Sequence, residues 1–184
     1  FGKALHELSS LGFIDRIPRL AVIQAKGAAP FYKLFKSEDR EKLIPIVHPA
    51  TLATAIRIGN PVSWPKALRS LQWTNGIVEQ VSENEIAEAK AVIGRDGIGC
   101  EPASAVTLAG AKQLVSRHII ERQASVVCVL TGNLLKDPGY TMDYHSRKLR
   151  LETPEGERMI LVTRANSPER LPADKAAIRR HLKL

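Results

Sequence analysis

Residues 97–115, GIGCEPASAVTLAGAKQLV, and residues 125–138, SVVCVLTGNLLKDP, decide how the rest of the chain is read. The first opens as a glycine-rich turn and predicts a helix entered at Pro102 and running to about Ile119. Ala103, Ser104, Ala105, Ala109, Gly110 and Ala111 would let that helix lie close to a neighbouring backbone. The second opens with an all-apolar run, Ser125–Leu130, expected to be a strand buried on both faces. It stops at Thr131-Gly132-Asn133. A hydroxyl followed by glycine where a buried strand ends is how a parallel α/β sheet offers a polar group to a ligand beyond its carboxyl edge.

Upstream, strands and helices alternate. FGKALHELSSLG places Leu5, Leu8 and Leu11 at helical spacing and stops at Gly12. RLAVIQA, residues 19–25, predicts a buried strand. After Gly27 a second helix carries Phe31, Leu34 and Phe35 on one side, and residues 37–42 form a charged loop. HPATLATAIRIGNP predicts a short helix closed by Gly59 and interrupted by Pro61. Another helix is expected from Trp64 to Gln72, and Asn75-Gly76 turns the chain into the strand GIVEQV. Ser82-Glu83-Asn84-Glu85 is a capping box that starts a helix bearing Ile86, Ala89, Ala91 and Val92 and ending at Gly97. This rhythm predicts an α/β fold with a mostly parallel sheet and helices on its faces. Beyond Pro138, RKLRLETPEGERMILVTRA predicts a hairpin around Pro154-Glu155-Gly156, and PADKAAIRRHLKL a terminal helix. The expected organisation is therefore one domain over residues 1–138 with an appended hairpin and helix over 139–184.

A chain of 184 residues can bury one sizeable core, and its 44% hydrophobic and 25% charged residues are ordinary for a globular domain. No apolar run is long enough to span a bilayer and no secretory segment opens the chain, so no membrane partner is expected. The first residue is Phe1, which predicts a fragment or a processed piece. The net charge of +8 is concentrated at the end, where ten Lys/Arg stand against five Asp/Glu from His145 onward. Those basic residues are interleaved with acids and apolars, and no aromatic follows Tyr144, which argues for a solvated surface and against nucleic acid. Cys100 and Cys128 make no disulfide framework, so a reducing, cytoplasmic setting is expected. No cysteine and histidine cluster stands at zinc spacing, and no metal site is expected.

Four strings carry a resemblance. VHPATLATAIRIGNPVSW (47–64), RLAVIQAKGAAPF (19–31), EPASAVTLAGAKQL (101–114) and TGNLLKD (131–137) together resemble the C-terminal part of threonine synthases, pyridoxal-phosphate enzymes of fold type II. The resemblance implies a three-layer αβα fold of the tryptophan synthase β-like kind. It implies a lyase of threonine biosynthesis that converts O-phosphohomoserine and water to threonine and phosphate, as a homodimer when intact. It also implies pyridoxal 5'-phosphate as cofactor. Thr131 would then meet the cofactor's ring nitrogen, since a hydroxyl donates or accepts as that nitrogen requires. Ala55, with Thr54, would lie beside the ring face. Glu101 would line the substrate pocket, the plainer reading being an acid that compensates a helix dipole, and Ser104 is expected to cap that helix.

The departures bear on the same residues. Leu134 stands where the family motif has a glycine. The lysine that forms the Schiff base and the glycine- and asparagine-rich phosphate loop are expected upstream of Phe1, so that residues 1–184 alone would be inactive, with no catalytic residue among them. Lys36 lies in a charged stretch, Lys136 reads as structural, and neither has the apolar surroundings a Schiff-base lysine needs. Two other readings stay open: another fold type II lyase such as threonine dehydratase, and a non-catalytic binding or regulatory module using the basic tail. The enzyme reading predicts one concave pocket lined by Thr131 and the turns 54–59 and 99–104, with the hairpin of residues 147–164 lying away from it.

Overall fold

The computed structural model describes all of residues 1–184. Helix α1 (Gly2–Ser10) ends before Gly12, whose φ of +75° supplies the left-handed turn anticipated there. Strand β1 (Ala21–Ala25) and helix α2 (Pro30–Lys36) follow, then α3 (Trp64–Trp73), β2 (Ile77–Val81), α4 (Glu83–Arg95) and α5 (Pro102–Ser116). β1 and β2 pair in parallel, Ala21 opposite Ile77 through Ala25 opposite Val81, so both carboxyl ends point to one edge.

The strands' side chains alternate between two cores, which makes three layers. On one face Val78, Phe31, Leu34, Leu43 and Leu71 pack together with Leu20 and Val22, under α2 and α3. On the other, Ala25 and Val81 meet Ile86, Ala89 and Ile93 of α4, Cys100, and Ala105, Val106 and Ala109 of α5. The small residues of α5 are explained here. A Cβ on Gly110 would come within 2.5 Å of the Ile23 side chain, so α5 lies directly over β1. At the start of α4, Ser82 Oγ accepts from Glu85 N–H while the Glu85 carboxylate accepts from Ser82 N–H, the anticipated capping box.

Two expected elements differ. Ser125–Leu130 forms no strand: none of its backbone groups bonds within the chain, and Val127 is 88% exposed. A strand exists only through ladder bonds to a neighbour, and this sheet ends at two strands. Leu130 alone reaches the core beside α5. The segment HPATLATAIRIGNP forms only a single 3₁₀ turn, Thr54–Ile56. Its amides are taken by side chains: Leu52 N–H donates to Glu83 Oε2 at 3.1 Å, and Ala53 N–H to Thr51 Oγ1 at 3.1 Å. Such local bonds displace the i→i−4 ladder.

Beyond Asp137 the chain forms α6 (Pro138–His145), a helix with no counterpart in the sequence reading, then the antiparallel hairpin β3 (Arg150–Thr153) and β4 (Gly156–Met159), and α7 (Lys175–Leu182). Tyr140, Tyr144, Leu149, Leu151 and Ile160 form a third core that closes on Ala87 of α4. The appended region is thus packed against the main body. No helix is long and apolar enough to cross a membrane.

Candidate functional site

The residues singled out at the carboxyl edge converge on the first turns of α5. Ser104, 2% exposed, does not cap its helix. Its Oγ accepts from Thr131 N–H at 3.0 Å and Gly132 N–H at 3.2 Å, and lies 3.3 Å from Thr131 Oγ1. One buried hydroxyl therefore fixes the Thr131-Gly132 turn and leaves the Thr131 side chain exposed at the edge. Glu101 N–H donates back to Gly132 C=O at 3.1 Å. The Glu101 side chain passes so close that a Cβ on Gly132 would stand 2.0 Å from its Cδ, so a side chain there would displace the carboxylate that pairs with Lys136.

Glu101 is 4% exposed, and its Oε2 pairs with Lys136 Nζ at 2.5 Å. That bond holds the Lys136 ammonium above the usual lysine range. Lys136, read from the sequence as structural, thereby matches the buried carboxylate beyond any dipole compensation. Leu134, standing in the motif's glycine position, packs on Gly99, whose φ is +66°.

The turn carrying Thr54 and Ala55 is anchored from beneath. Thr51 is fully buried, Arg57 Nε donates to Thr51 C=O at 2.8 Å, and Glu83, 7% exposed, holds Leu52. Thr54 and Ala55 themselves are exposed, and Ile56 packs on the same core as Leu130. Burial raises the Glu83 carboxyl above its ordinary 4.5, desolvation outweighing the bonds from Thr51 and Leu52 and the attraction of Arg57 and Arg158. The folded state thus favours the protonated acid. That contribution is complete below the unfolded value and is lost as pH rises through the folded one. Glu83→Gln, which keeps the bond to Leu52, is expected to gain melting temperature relative to the parent at about pH 8 and to lose that gain at about pH 4. A difference independent of pH in thermal melts would refute the buried-charge account.

A cavity of about 590 Å³ is lined by Leu52, Thr54, Arg57, Lys136 to Tyr140, Asp143 and Lys148 to Arg150. Neither Thr131 nor the 99–104 turn belongs to that lining, and the hairpin, expected to lie away, supplies Leu149 and Arg150. The reason is α6, whose tyrosines pull the hairpin against α4.

Sequence reasoning also missed Lys90. It is 6% exposed, its Nζ donates to Cys100 C=O at 2.8 Å and lies 6.0 Å from the Tyr140 ring, and desolvation lowers it below the lysine range. Lys90 therefore has the buried, desolvated setting that Lys36 and Lys136 lack. Its position midway along a helix whose other buried residues past the first turn are Ile86, Ala87, Ala89 and Ile93 was the available signal.

A parallel α/β layer with a hydroxyl-glycine turn at its carboxyl edge matches a known class. The family model described as "Pyridoxal-phosphate dependent enzyme" matches residues 1–132, and the chain belongs to that family. Among its relatives, it is 41% identical over 151 residues to the threonine synthase of Methanocaldococcus jannaschii, covering 82% of this chain and 37% of that protein. It is 44% identical over 142 residues to the threonine synthase of Methanosarcina acetivorans, covering 77% and 35%, and 37% identical over 150 residues to threonine synthase 2, chloroplastic, of Arabidopsis thaliana, covering 82% and 29%. The chain thus spans about a third of the length of the curated relatives it matches. A crystal structure of a T.th. threonine deaminase overlaps 63% of this chain and 42% of its own with a TM-score of 0.47 and 19% identity.

Proposed function

We propose that these residues are the C-terminal portion of a threonine synthase, a lyase that converts O-phosphohomoserine and water to threonine and phosphate. The observation that carries this reading is the identity of 41–45% with threonine synthases of two archaea and a cyanobacterium, over 133–151 residues that include the Thr131 motif. Residues 1–138 would belong to the cofactor-binding domain, and 139–184 would be an extension of it.

The residues present fit pyridoxal phosphate. Thr131 is exposed at the edge and its backbone is immobilised by Ser104, so its hydroxyl would meet a ring nitrogen from a fixed backbone. When bound, the cofactor draws electrons away from the substrate's α-carbon. Thr131 would bond the ring nitrogen and leave it uncharged, a hydroxyl being too weak an acid or base to exchange its proton there. Ala55 would give the ring face a flat apolar neighbour. Glu101, neutralised by Lys136, would shape the substrate pocket and steady the turn under Thr131. Both cysteines are free thiols, which accords with the cytoplasmic setting inferred for the protein, and a homodimer is the assembly inferred for it.

The test is Thr131→Val in the enzyme loaded with cofactor. The side chain is exposed, so the melting temperature should shift by no more than about 2 °C. Turnover should fall about ten-fold or more, since one lost hydrogen bond to a desolvated ring is worth on the order of 1 kcal/mol or above. Unchanged turnover with a large loss of stability would make Thr131 a structural cap instead.

A further inference from the structure

The 590 Å³ cavity lies between the 52–57 turn, α6 and β3, and its charges are unevenly satisfied. Four cationic side chains line it: Arg57, Lys136, Lys148 and Arg150. Lys136 is paired with Glu101, and Arg150 with Glu157 at 2.9 Å. Arg57 and Lys148 have no carboxylate within ion-pair distance. The Arg57 guanidinium is held in place by its Nε bond to Thr51 C=O, which leaves its terminal nitrogens unengaged. Two acids share the wall. Asp137 faces cations already, acting on both Lys90 and Lys136, and Asp143 is in the second half of α6.

We propose that this cavity is an anion site for a phosphate group, with Arg57 and Lys148 as its two charge partners. A pre-oriented guanidinium with free donors suits the tetrahedral oxygens of phosphate, and an ammonium adds a second, mobile charge. The volume falls within the range of small-molecule sites, so a phosphomonoester is accommodated as well as the inorganic ion. The inference does not rest on the threonine synthase reading, because neither Arg57 nor Lys148 is assigned to cofactor or substrate.

The experiment is a titration of the whole protein that carries residues 1–184 with inorganic phosphate and, separately, with methyl phosphate, followed by amide chemical shifts of these residues. Saturable shifts are expected at Leu52, Arg57, Gly139 and residues 148–150, with a dissociation constant on the order of millimolar that weakens as sodium chloride is added. Lys148→Gln should raise that constant about ten-fold, as should Arg57→Gln. Because Arg57 also bonds Thr51, the exposed Lys148 is the cleaner variant, and Lys183→Gln on α7's end should change nothing. Equal affinity for both ligands identifies the bare phosphate as what is read, and tighter methyl phosphate identifies the ester; either supports the site. Absence of saturation, shifts spread over the basic surface, or equal loss with Lys183→Gln overturns it.

Discussion

Gly27→Ala should remove about 3 kcal/mol of stability or more. A Cβ at Gly27 would stand 1.9 Å from Ala50 O, a backbone atom with no rotamer to yield. That same Ala50 donates its N–H to Gly27 C=O at 3.0 Å, so relief of the clash breaks the bond that closes the 50–59 segment onto the end of β1. Overpacking against backbone ranks among the costlier substitutions, and in a chain of this size about 3 kcal/mol is a fall of roughly 6–12 °C in melting temperature. Gly94→Ala supplies the contrast. Gly94 lies inside α4 with nothing near its missing Cβ, so alanine there should gain about 0.5–1 kcal/mol. Thermal melts of the two variants that agree in sign would refute the close approach at Gly27.

Ser104→Ala is expected to damage the edge more than Thr131→Val does. Its Oγ serves two amides and one hydroxyl. Removing an acceptor that buried donors depend on costs about 1–3 kcal/mol for each group left unpaired. Water reaches the Thr131 side, so about 2 kcal/mol in all is the expected loss. The sharper readout is local. Amide exchange at Thr131 and Gly132 should quicken at least ten-fold while Val78 and Val81, in the ladder, keep their protection. In the loaded enzyme, turnover should fall below that of Thr131→Val, because Thr131, the proposed ring partner, would lose its backbone support as well as its neighbour. Unaltered exchange at residues 131 and 132 would sink this account of Ser104.

The elements legible in the sequence are those whose cause is local. Ser82-Glu83-Asn84-Glu85 carries both halves of a capping box within four residues, and Gly12 supplies a left-handed turn by itself. Pro102 and the small residues after it predicted α5, and Gly110 against Ile23 is the reason for their size. The misreadings share one cause. Ser125–Leu130 has strand composition, but a strand is made by its neighbours, and none bonds to it here. The 51–59 segment has helical composition, yet Glu83, which lies 31 positions from Leu52, takes an amide a helix would need. Serine at 104 looked like a local cap and instead holds a turn 27 residues away.

By itself the sequence determined the alternation of β1, α4 and α5, the placement of Thr131-Gly132 after an apolar run, and membership of the pyridoxal-phosphate family through its long strings. Each of these depends on residues close together in the chain, where spacing and capping act without tertiary help. Only the tertiary structure decided that Ser104 fastens Thr131, that Glu101 is matched by Lys136, that Lys90 is buried, and that α6 draws the hairpin over a basic cavity. Those facts arise from contacts between distant segments. Desolvation and hydrogen-bond geometry set them, and neither quantity exists until the chain has packed.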